Sequence, residues 1–563
     1  MSGSSGPRTF HGIGVSVGTA VGPLVVVRPA PAAPADEPVP ADPVAATDAV
    51  KAVLEQVAAG LDARAASADD HARAILEAGA MMARDPGLAM GVENQLKAGK
   101  GPANAVTAAV EEIAAMFEAL GGYMAERVTD LRDVRDRTVA RLLGEPEPGV
   151  PTLTQPSILA AHDLAPAETA TLTAETCLGI ITAAGGPTSH TAILAAQLGI
   201  PAVVQASGIT EVPAGTIVAL DGGVGEVTVN PTQEEQELLV ERKRRREAAL
   251  AGGTGKGSTK DSYPVQLLAN IGTVADARKA AAQPVEGVGL FRTEFLFLDR
   301  DTMPTVEEQT KTYTEVFEAF GDRKVVVRTL DAGADKPLKF ADLGPEENPA
   351  LGRRGLRLGM IRTDVMDAQL QALAAAQQAT GAEVWVMAPM VATQDEASWF
   401  AQRVRALGLP KVGVMIEVPA AAIRSRGILY HVDFASLGTN DLSQYTMAAD
   451  RMQGELAPLL DTFEPALLDV VALACEGGQA MGKPVGVCGE AAGNPAVALV
   501  LVGLGVSSLS MAPSKVPAVR TALRLHTREQ CQQMAAAARA STSPATARAA
   551  VLKMADPVLL DLM

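Results

Sequence analysis

One histidine and seven residues further along the chain have the types and neighbours that phosphoryl chemistry requires. His190 lies in Gly185-Gly-Pro-Thr-Ser-His190-Thr-Ala-Ile-Leu-Ala. The two glycines let the backbone turn tightly and approach a ligand closely. Thr188 and Ser189 can cap a helix. His190 then stands in its first turn, where free N–H groups and the helix dipole favour an anion. A phosphoryl group carried on an imidazole is such an anion. A Thr188 hydroxyl on one ring nitrogen would leave the other as nucleophile. The second set comprises Arg292 (Gly-Leu-Phe-Arg-Thr-Glu), Arg328 (Val-Val-Val-Arg-Thr-Leu-Asp), Glu417 (Gly-Val-Met-Ile-Glu), Asn440 and Asp441 (Ser-Leu-Gly-Thr-Asn-Asp), Arg451 (Ala-Ala-Asp-Arg) and Cys488 (Gly-Val-Cys-Gly-Glu). Guanidinium groups bind phosphate and carboxylate through paired hydrogen bonds. Two carboxylates plus substrate oxygens are what Mg²⁺ takes. The implied ligand is a small molecule bearing both phosphate and carboxylate, held through Mg²⁺. Cys488, read by itself, is equally a small buried apolar residue.

These residues need elements that hold them together. From residue 264 onward, strand and helix patterns alternate. Strand candidates fall at 265–271, 287–294, 324–331, 383–390, 411–418, 434–441, 484–491 and 506–513. Eight buried runs of Val, Leu, Ile and Met with longer segments between them predict a (β/α)₈ barrel. The second set then sits at the C-terminal strand ends, where such barrels carry their function. Residues 150–231 read as a small α/β domain with one helix after Ser189. Residues 11–27 read as a pair of strands that complete it, which makes the helical pattern at about 45–143 an insertion. Within that block, Glu126–Arg137 predicts a charge-laced helix with Val128, Leu131 and Val134 on one stripe. Residues 30–43 read as a Pro/Ala-rich connector, 233–250 as a charged helix and 252–257 as a flexible glycine stretch. The expected organisation is an α/β domain of residues 7–30 and 145–231, a helical subdomain of 31–144, a linker of 232–263 and a barrel of 264–563.

Bulk properties exclude several functions. A chain of 563 residues exceeds one hydrophobic core. Aromatics make up 3%, too few for stacking platforms on single-stranded nucleic acid, and a net charge of −17 repels phosphate backbones and anionic lipid. Neither nucleic acid nor membrane is an expected partner. Cys177, Cys475, Cys488 and Cys531 show no CxxC spacing, which fits a reduced cytoplasm better than a zinc site or disulfide framework. Arg8 followed by Gly12–Val27 loosely mimics a signal peptide, but four glycines and a proline make it a poor apolar core for one.

Together these strings resemble the phosphoenolpyruvate–protein phosphotransferase family, enzyme I of the bacterial sugar phosphotransferase system. The resemblance rests on residues 185–193, Gly-Leu-Phe-Arg-Thr-Glu-Phe-Leu-Phe (289–297), Glu-Glu-Asn-Pro-Ala-Leu-Gly-Arg-Arg (346–354), Gly-Val-Met-Ile-Glu-Val-Pro-Ala-Ala (413–421), Gly-Thr-Asn-Asp-Leu-Ser-Gln-Tyr-Thr (438–446) and Val-Cys-Gly-Glu-Ala-Ala-Gly (487–493). It spans nearly the whole length. It implies a swivelling α/β phosphohistidine domain with an inserted helical bundle, then a TIM barrel. Phosphoenolpyruvate would bind at the barrel mouth with Mg²⁺ on Glu417 and Asp441. Arg292, Arg328, Asn440, Asp441 and Arg451 would hold it, with Arg354 in support. His190, assisted by Thr188, would take the phosphoryl group, and Cys488 would protonate the enolate to pyruvate. The helical subdomain would present the carrier protein HPr, whose histidine accepts the phosphoryl group. A homodimer through the barrel is implied as well.

The sequence departs from the family pattern at Pro187 and Ala196, where relatives commonly carry arginine, and at Ala334, where glycine is common. Loss of an arginine at 196 should weaken stabilisation of phosphohistidine. Two other readings compete. A dikinase of the same superfamily would need a nucleotide-binding domain, and none is visible before His190. A non-catalytic carrier-binding protein would not need the complete set from His190 to Cys488.

Overall fold

The computed structural model describes residues 7–563 apart from 28–29, 67–69, 121–126, 152, 154, 165–171, 187–188, 252, 299, 333–337, 342, 345 and 452, and apart from the side chains of 70–72, 74–75, 119–120, 190, 193, 197 and 454. Thr188, Pro187, Ala334 and the His190 ring therefore lie outside the described residues and side chains. The chain divides into two compact units, Met1–Arg244 and Arg245–Met563.

The first unit is built on a sheet of β1 (Arg8–His11), β2 (Ile13–Ser16), β3 (Thr19–Val26), β4 (Ser157–Ala161), β5 (Cys177–Thr182), β6 (Ala202–Val204), β7 (Ile217–Asp221) and β8 (Glu226–Val229). Their order is β1-β8-β7-β3-β4-β5-β6-β2. Residues 11–27 hold the expected two strands, β2 and β3, and β1 precedes them; β2 and β3 do not pair with each other but with β6 and with β7 and β4. β3 and β4 are parallel neighbours with Leu24 opposite Ile158. The helical block is inserted in the crossover between them. It comprises α1 (Pro43–Ala65), α2 (Asp70–Ala83), α3 (Pro86–Lys97), α4 (Pro102–Leu120) and α5 (Val128–Leu143). Each packs an apolar stripe inward, as Val50, Leu54, Val57 and Leu61 of α1 and Val128, Leu131 and Val134 of α5 do. Asp42 caps α1 by accepting from the Val44 and Ala45 amides. The Pro/Ala connector has a task that composition hid: the Glu37 carboxylate accepts from the Ala103 and Asn104 amides at the start of α4. α6 (His190–Leu198) crosses from β5 to its parallel neighbour β6.

α7 (Gln233–Ala251) is the expected charged helix and buries no residue fully. Residues 253–257 of the glycine stretch after it are held by other residues of the second unit, contrary to the flexibility their composition suggests. Arg520, fully buried, donates to the Gly253 carbonyl, Arg524 donates to the Thr254 carbonyl, and the Gly257 amide donates to Glu286 at 2.8 Å.

The second unit is a closed barrel of eight parallel strands: β9 (Gln266–Ile271), β10 (Gly287–Arg292), β11 (Lys324–Arg328), β12 (Val384–Ala388), β13 (Lys411–Ile416), β14 (Phe434–Leu437), β15 (Val485–Val487) and β16 (Ser508–Met511). Strand periodicity sorts its two faces. Val325, Val327, Val386, Val412 and Val414 point outward into the core shared with the helices. Leu290, Val326, Met387, Met415, Phe434 and Cys488 form a separate cluster on the inside. All eight predicted strands are present; β9 ends at Ile271 as predicted, and the other seven end earlier than predicted. The difference matters at 434–441. β14 stops at Leu437, and Asn440 and Asp441 lie in the first turn of a helix, Thr439–Met447, opened by the Leu442 amide donating to the Gly438 carbonyl. Thr-Asn-Asp disfavours a strand and suits a helix start, which explains the correction. Among the described residues, no helix is long and apolar enough to cross a membrane.

Candidate active site

Arg292 and Arg328 are the last residues of neighbouring strands β10 and β11. Glu417 follows β13, Asp441 lies just past β14 and Cys488 follows β15, and these three strands are also consecutive neighbours. Because all strands run parallel, these residues share one pole of the barrel.

A buried ionic chain links them. Arg328, 7% exposed, donates to Glu294 at 2.7 Å and pairs with Asp331 at 2.9 Å. Arg354, 6% exposed, pairs with Asp331 at 3.1 Å and Asp441 at 3.0 Å. Arg451 extends the chain, 3.8 Å from the other Asp441 oxygen. Burial opposes charge on Arg328, but Asp331, Glu294 and Glu417 outweigh it and raise its pKa above the ordinary value. Arg354 is raised likewise, its burial outweighed by Asp331, Asp441 and Glu417. Both guanidinium groups are thus permanently charged, where a phosphate or carboxylate gains most from them. The Arg328 Nε has no hydrogen-bond partner among the described residues, so a donor is left over.

Glu417 is 1% exposed, and one of its oxygens accepts from the Met390 amide at 2.8 Å. Burial, then Asp441 and Asp331, push its pKa up to about 8 against the pull of Arg328 and Arg354. A cation between Glu417 and Asp441 would remove that repulsion. The second Glu417 oxygen faces Gly438, where a Cβ would stand only 2.8 Å away. Two carboxylates with such a side-chain-free margin fit Mg²⁺, which takes few protein ligands and completes its shell with water and substrate oxygens. They fall short of a closed protein cage: among the described residues, no group of three or more His, Cys, Asp or Glu could hold a metal.

The remaining expected residues take different places. Cys488 is 3% exposed with Sγ 3.7 Å from the Leu437 carbonyl, and burial pushes its thiol up to about 11. Asn440 is exposed and accepts from the Glu490 amide at 3.0 Å. Arg292 is exposed, with no ion pair among the described residues. Glu294 and Asp331, which orient Arg328 and Arg354, were not singled out from sequence. Their signal lay in the strings Arg292-Thr-Glu294 and Arg328-Thr-Leu-Asp331.

In the first unit, His190 is the first residue of α6, as its string predicts. Ser189 is the cap, and its hydroxyl accepts from the Ala192 amide at 3.3 Å. Gly185 turns at φ +85°, a conformation costly for any residue with a Cβ. Its carbonyl accepts from Gln205 at 3.0 Å. Ala196 is half-buried near the end of α6, which closes at Gly199.

Comparison with known proteins follows the same division. The model of the PEP-binding domain of PEP-utilising enzymes matches residues 249–528, that of their mobile domain residues 153–225, and that of their N-terminal domain residues 11–127. A phosphoenolpyruvate-protein phosphotransferase from Streptomyces coelicolor is 50% identical over 96% of this chain and 98% of its own. One from Haloferax volcanii is 38% identical over 92% of this chain and 94% of its own, and one from Staphylococcus carnosus 37% identical over 80% and 82%.

Proposed function

The chain belongs to the family of PEP-utilising enzymes, and from that premise we propose that it works as a phosphoenolpyruvate–protein phosphotransferase, enzyme I of a phosphotransferase system. The observation that carries the reading is the buried chain Glu294–Arg328–Asp331–Arg354–Asp441, which fixes two cations beside the Glu417–Asp441 carboxylates at one barrel pole.

Arg292, Arg328, Asn440 and Arg451 hold the phosphate and carboxylate of phosphoenolpyruvate, and Arg354 fixes Asp331 and Asp441 in place. Glu417 and Asp441 hold Mg²⁺. When bound, that ion neutralises charge on the phosphoryl oxygens in a loose transition state. His190, the first residue of α6, accepts the phosphoryl group with the assistance of Thr188. Cys488, kept protonated by burial, gives its proton to the enolate methylene, and pyruvate leaves. An HPr-type carrier docked on the inserted helices then takes the phosphoryl group from His190. We place the protein in the cytoplasm, serving sugar transport, as a homodimer through the barrel. The net charge of −17 supports a protein partner rather than nucleic acid or a membrane.

Incubation with radiolabelled phosphoenolpyruvate and Mg²⁺, followed by addition of a purified carrier, tests this. The expected label is acid-labile and base-stable, is absent in His190→Ala, and passes to the carrier. Label that persists in His190→Ala refutes the assignment.

A further inference from the structure

The reading above makes Cys488 spend a proton in every turnover, and the structure shows where the next one comes from. Cys488 sits among Leu290, Val326, Met387, Met415 and Phe434, an apolar cage. Its sulfur lies 3.7 Å from the Leu437 carbonyl. Ser436 shares the inward face of β14 with Phe434 and stands opposite Gly486, two residues before Cys488, and its hydroxyl favours the thiolate form of that sulfur. Glu417, Arg328 and Arg292 act on it through charge alone. A carbonyl has no proton to give. Ser436 is therefore the hydroxyl placed to give the sulfur a proton.

Ser436 also lines a cavity with about 70 Å³ open to the centres of water molecules, together with Ser508, Ser510, Gln266 and Lys324. Gln266, Lys324, Phe434 and Ser508 are the first residues of β9, β11, β14 and β16. The cavity thus lies toward the N-terminal pole, opposite the arginines. Two glycines leave its wall without side chains: a Cβ on Gly486 would stand 2.3 Å from the Ser508 hydroxyl, and one on Gly289 2.5 Å from the Ser510 hydroxyl. A water needs about 10–15 Å³ of such space and two to four polar partners, so a file of several waters fits.

We propose that this cavity is a water-filled inlet through which the N-terminal pole returns a proton to Cys488 by way of the Ser436 hydroxyl. The inference rests on Cys488 being the acid of the proposed reaction. As the C–H bond forms on the enolate methylene, the Cys488 S–H bond breaks and leaves a thiolate. The S–H bond then reforms as the Ser436 O–H bond breaks. A cavity water gives its own proton to the serine oxygen, its deficit passes along the water file as hydroxide to the cavity's open end, and there a hydronium ion or buffer acid of the solvent supplies the proton that restores it to water. Burial makes the thiolate a strong base, which favours its recapture of a proton.

The first turnover draws on the proton already present on sulfur, and later turnovers need the inlet. In Ser436→Ala, single-turnover pyruvate formation stays within about twofold of the unaltered enzyme while the steady-state rate with carrier falls about tenfold or more. Ser436→Thr keeps the hydroxyl and restores the rate. Ser508→Leu fills the cavity away from the sulfur and reproduces the split. Equal loss in first and later turnovers of Ser436→Ala would make the serine a mere support for the thiol and overturn the inference. Unchanged steady-state rates in both Ser436→Ala and Ser508→Leu would overturn it as well. Cys488→Ala isolates the premise: if it forms pyruvate at the unaltered rate, Cys488 is not the acid and the inlet has nothing to supply.

Discussion

Arg354 is the residue whose loss should be felt most widely at the barrel mouth. It is the shared partner of Asp331 and Asp441, and all three are buried. Removing one member of such a set strands the others in a poor solvent, at a cost of about 3–5 kcal/mol. Arg354→Met, close in volume and without charge, should lower the urea stability of the second unit by that order and abolish phosphoenolpyruvate-dependent labelling of His190. Arg354→Lys should recover part of the stability and little of the labelling, because one ammonium does not reproduce a planar fork aimed at two carboxylates. Equal stability of Arg354→Met and the parent would refute the ionic chain. Ala196 makes the opposite kind of prediction, a gain. Ala196→Arg should lengthen the half-life of phospho-His190, measured by label retention after removal of phosphoenolpyruvate, and an unchanged half-life would refute it. Arg328 and Glu417 stood out because each closes or directly follows a run of strand formers with a charge, whereas Cys488, itself apolar, stood out only through its place after such a run and its resemblance string. Glu294 and Asp331 were not, since a carboxylate that only steadies an arginine carries no pattern until the two are seen to touch.

At the level of elements, the turn from β14 into the helix Thr439–Met447 sets the two carboxylates proposed to hold Mg²⁺. Gly438 has φ −88°, which any residue can adopt, so backbone freedom is not what glycine supplies there. Its missing side chain is, with the Glu417 carboxylate 2.8 Å from where a Cβ would stand. Gly438→Ala should therefore fold normally, because the far end of a glutamate can rotate away. It should raise the Mg²⁺ concentration that half-saturates His190 labelling by about 10–100-fold, the usual effect of disturbing a metal ligand's support. A Mg²⁺ titration decides, and an unshifted midpoint removes Glu417 from the metal site. The same element marks the limit of reading strands from sequence. Apolar runs located all eight strands, because burial on both faces leaves a continuous signal. They overran the end of β14 because a strand's last apolar residue and the polar start of the next helix are contiguous in sequence. The glycine stretch at 253–257 failed for a related reason: glycine composition reports backbone freedom, while Arg520 and Arg524 cancel that freedom from some 270 residues away in the sequence.

For the whole molecule, the proposed reaction is divided between two units that each possess their own cores. The first buries one core in the helical insertion and others on the sheet, and the second buries its main core between the barrel strands and helices. His190 belongs to the first, and the arginines and carboxylates to the second. Separate cores predict that residues 7–244 and 245–563 fold as independent fragments. Neither alone should label from phosphoenolpyruvate, the first lacking a substrate site and the second lacking His190. Mixed together, they should label slowly, with a rate that rises in proportion to fragment concentration. The covalent tether in the intact chain acts as a local concentration of about 1 mM for a short connection, so fragments at about 10 μM should react about 100-fold more slowly than the intact chain. Saturation of the mixture at micromolar concentration, at the intact rate, would mean that the units bind one another and that no encounter step exists. Linear dependence up to the solubility limit would establish that chain continuity contributes proximity alone. The chemistry would then be complete in two separately folded halves, with the imidazole brought to the barrel mouth anew for each phosphoryl group.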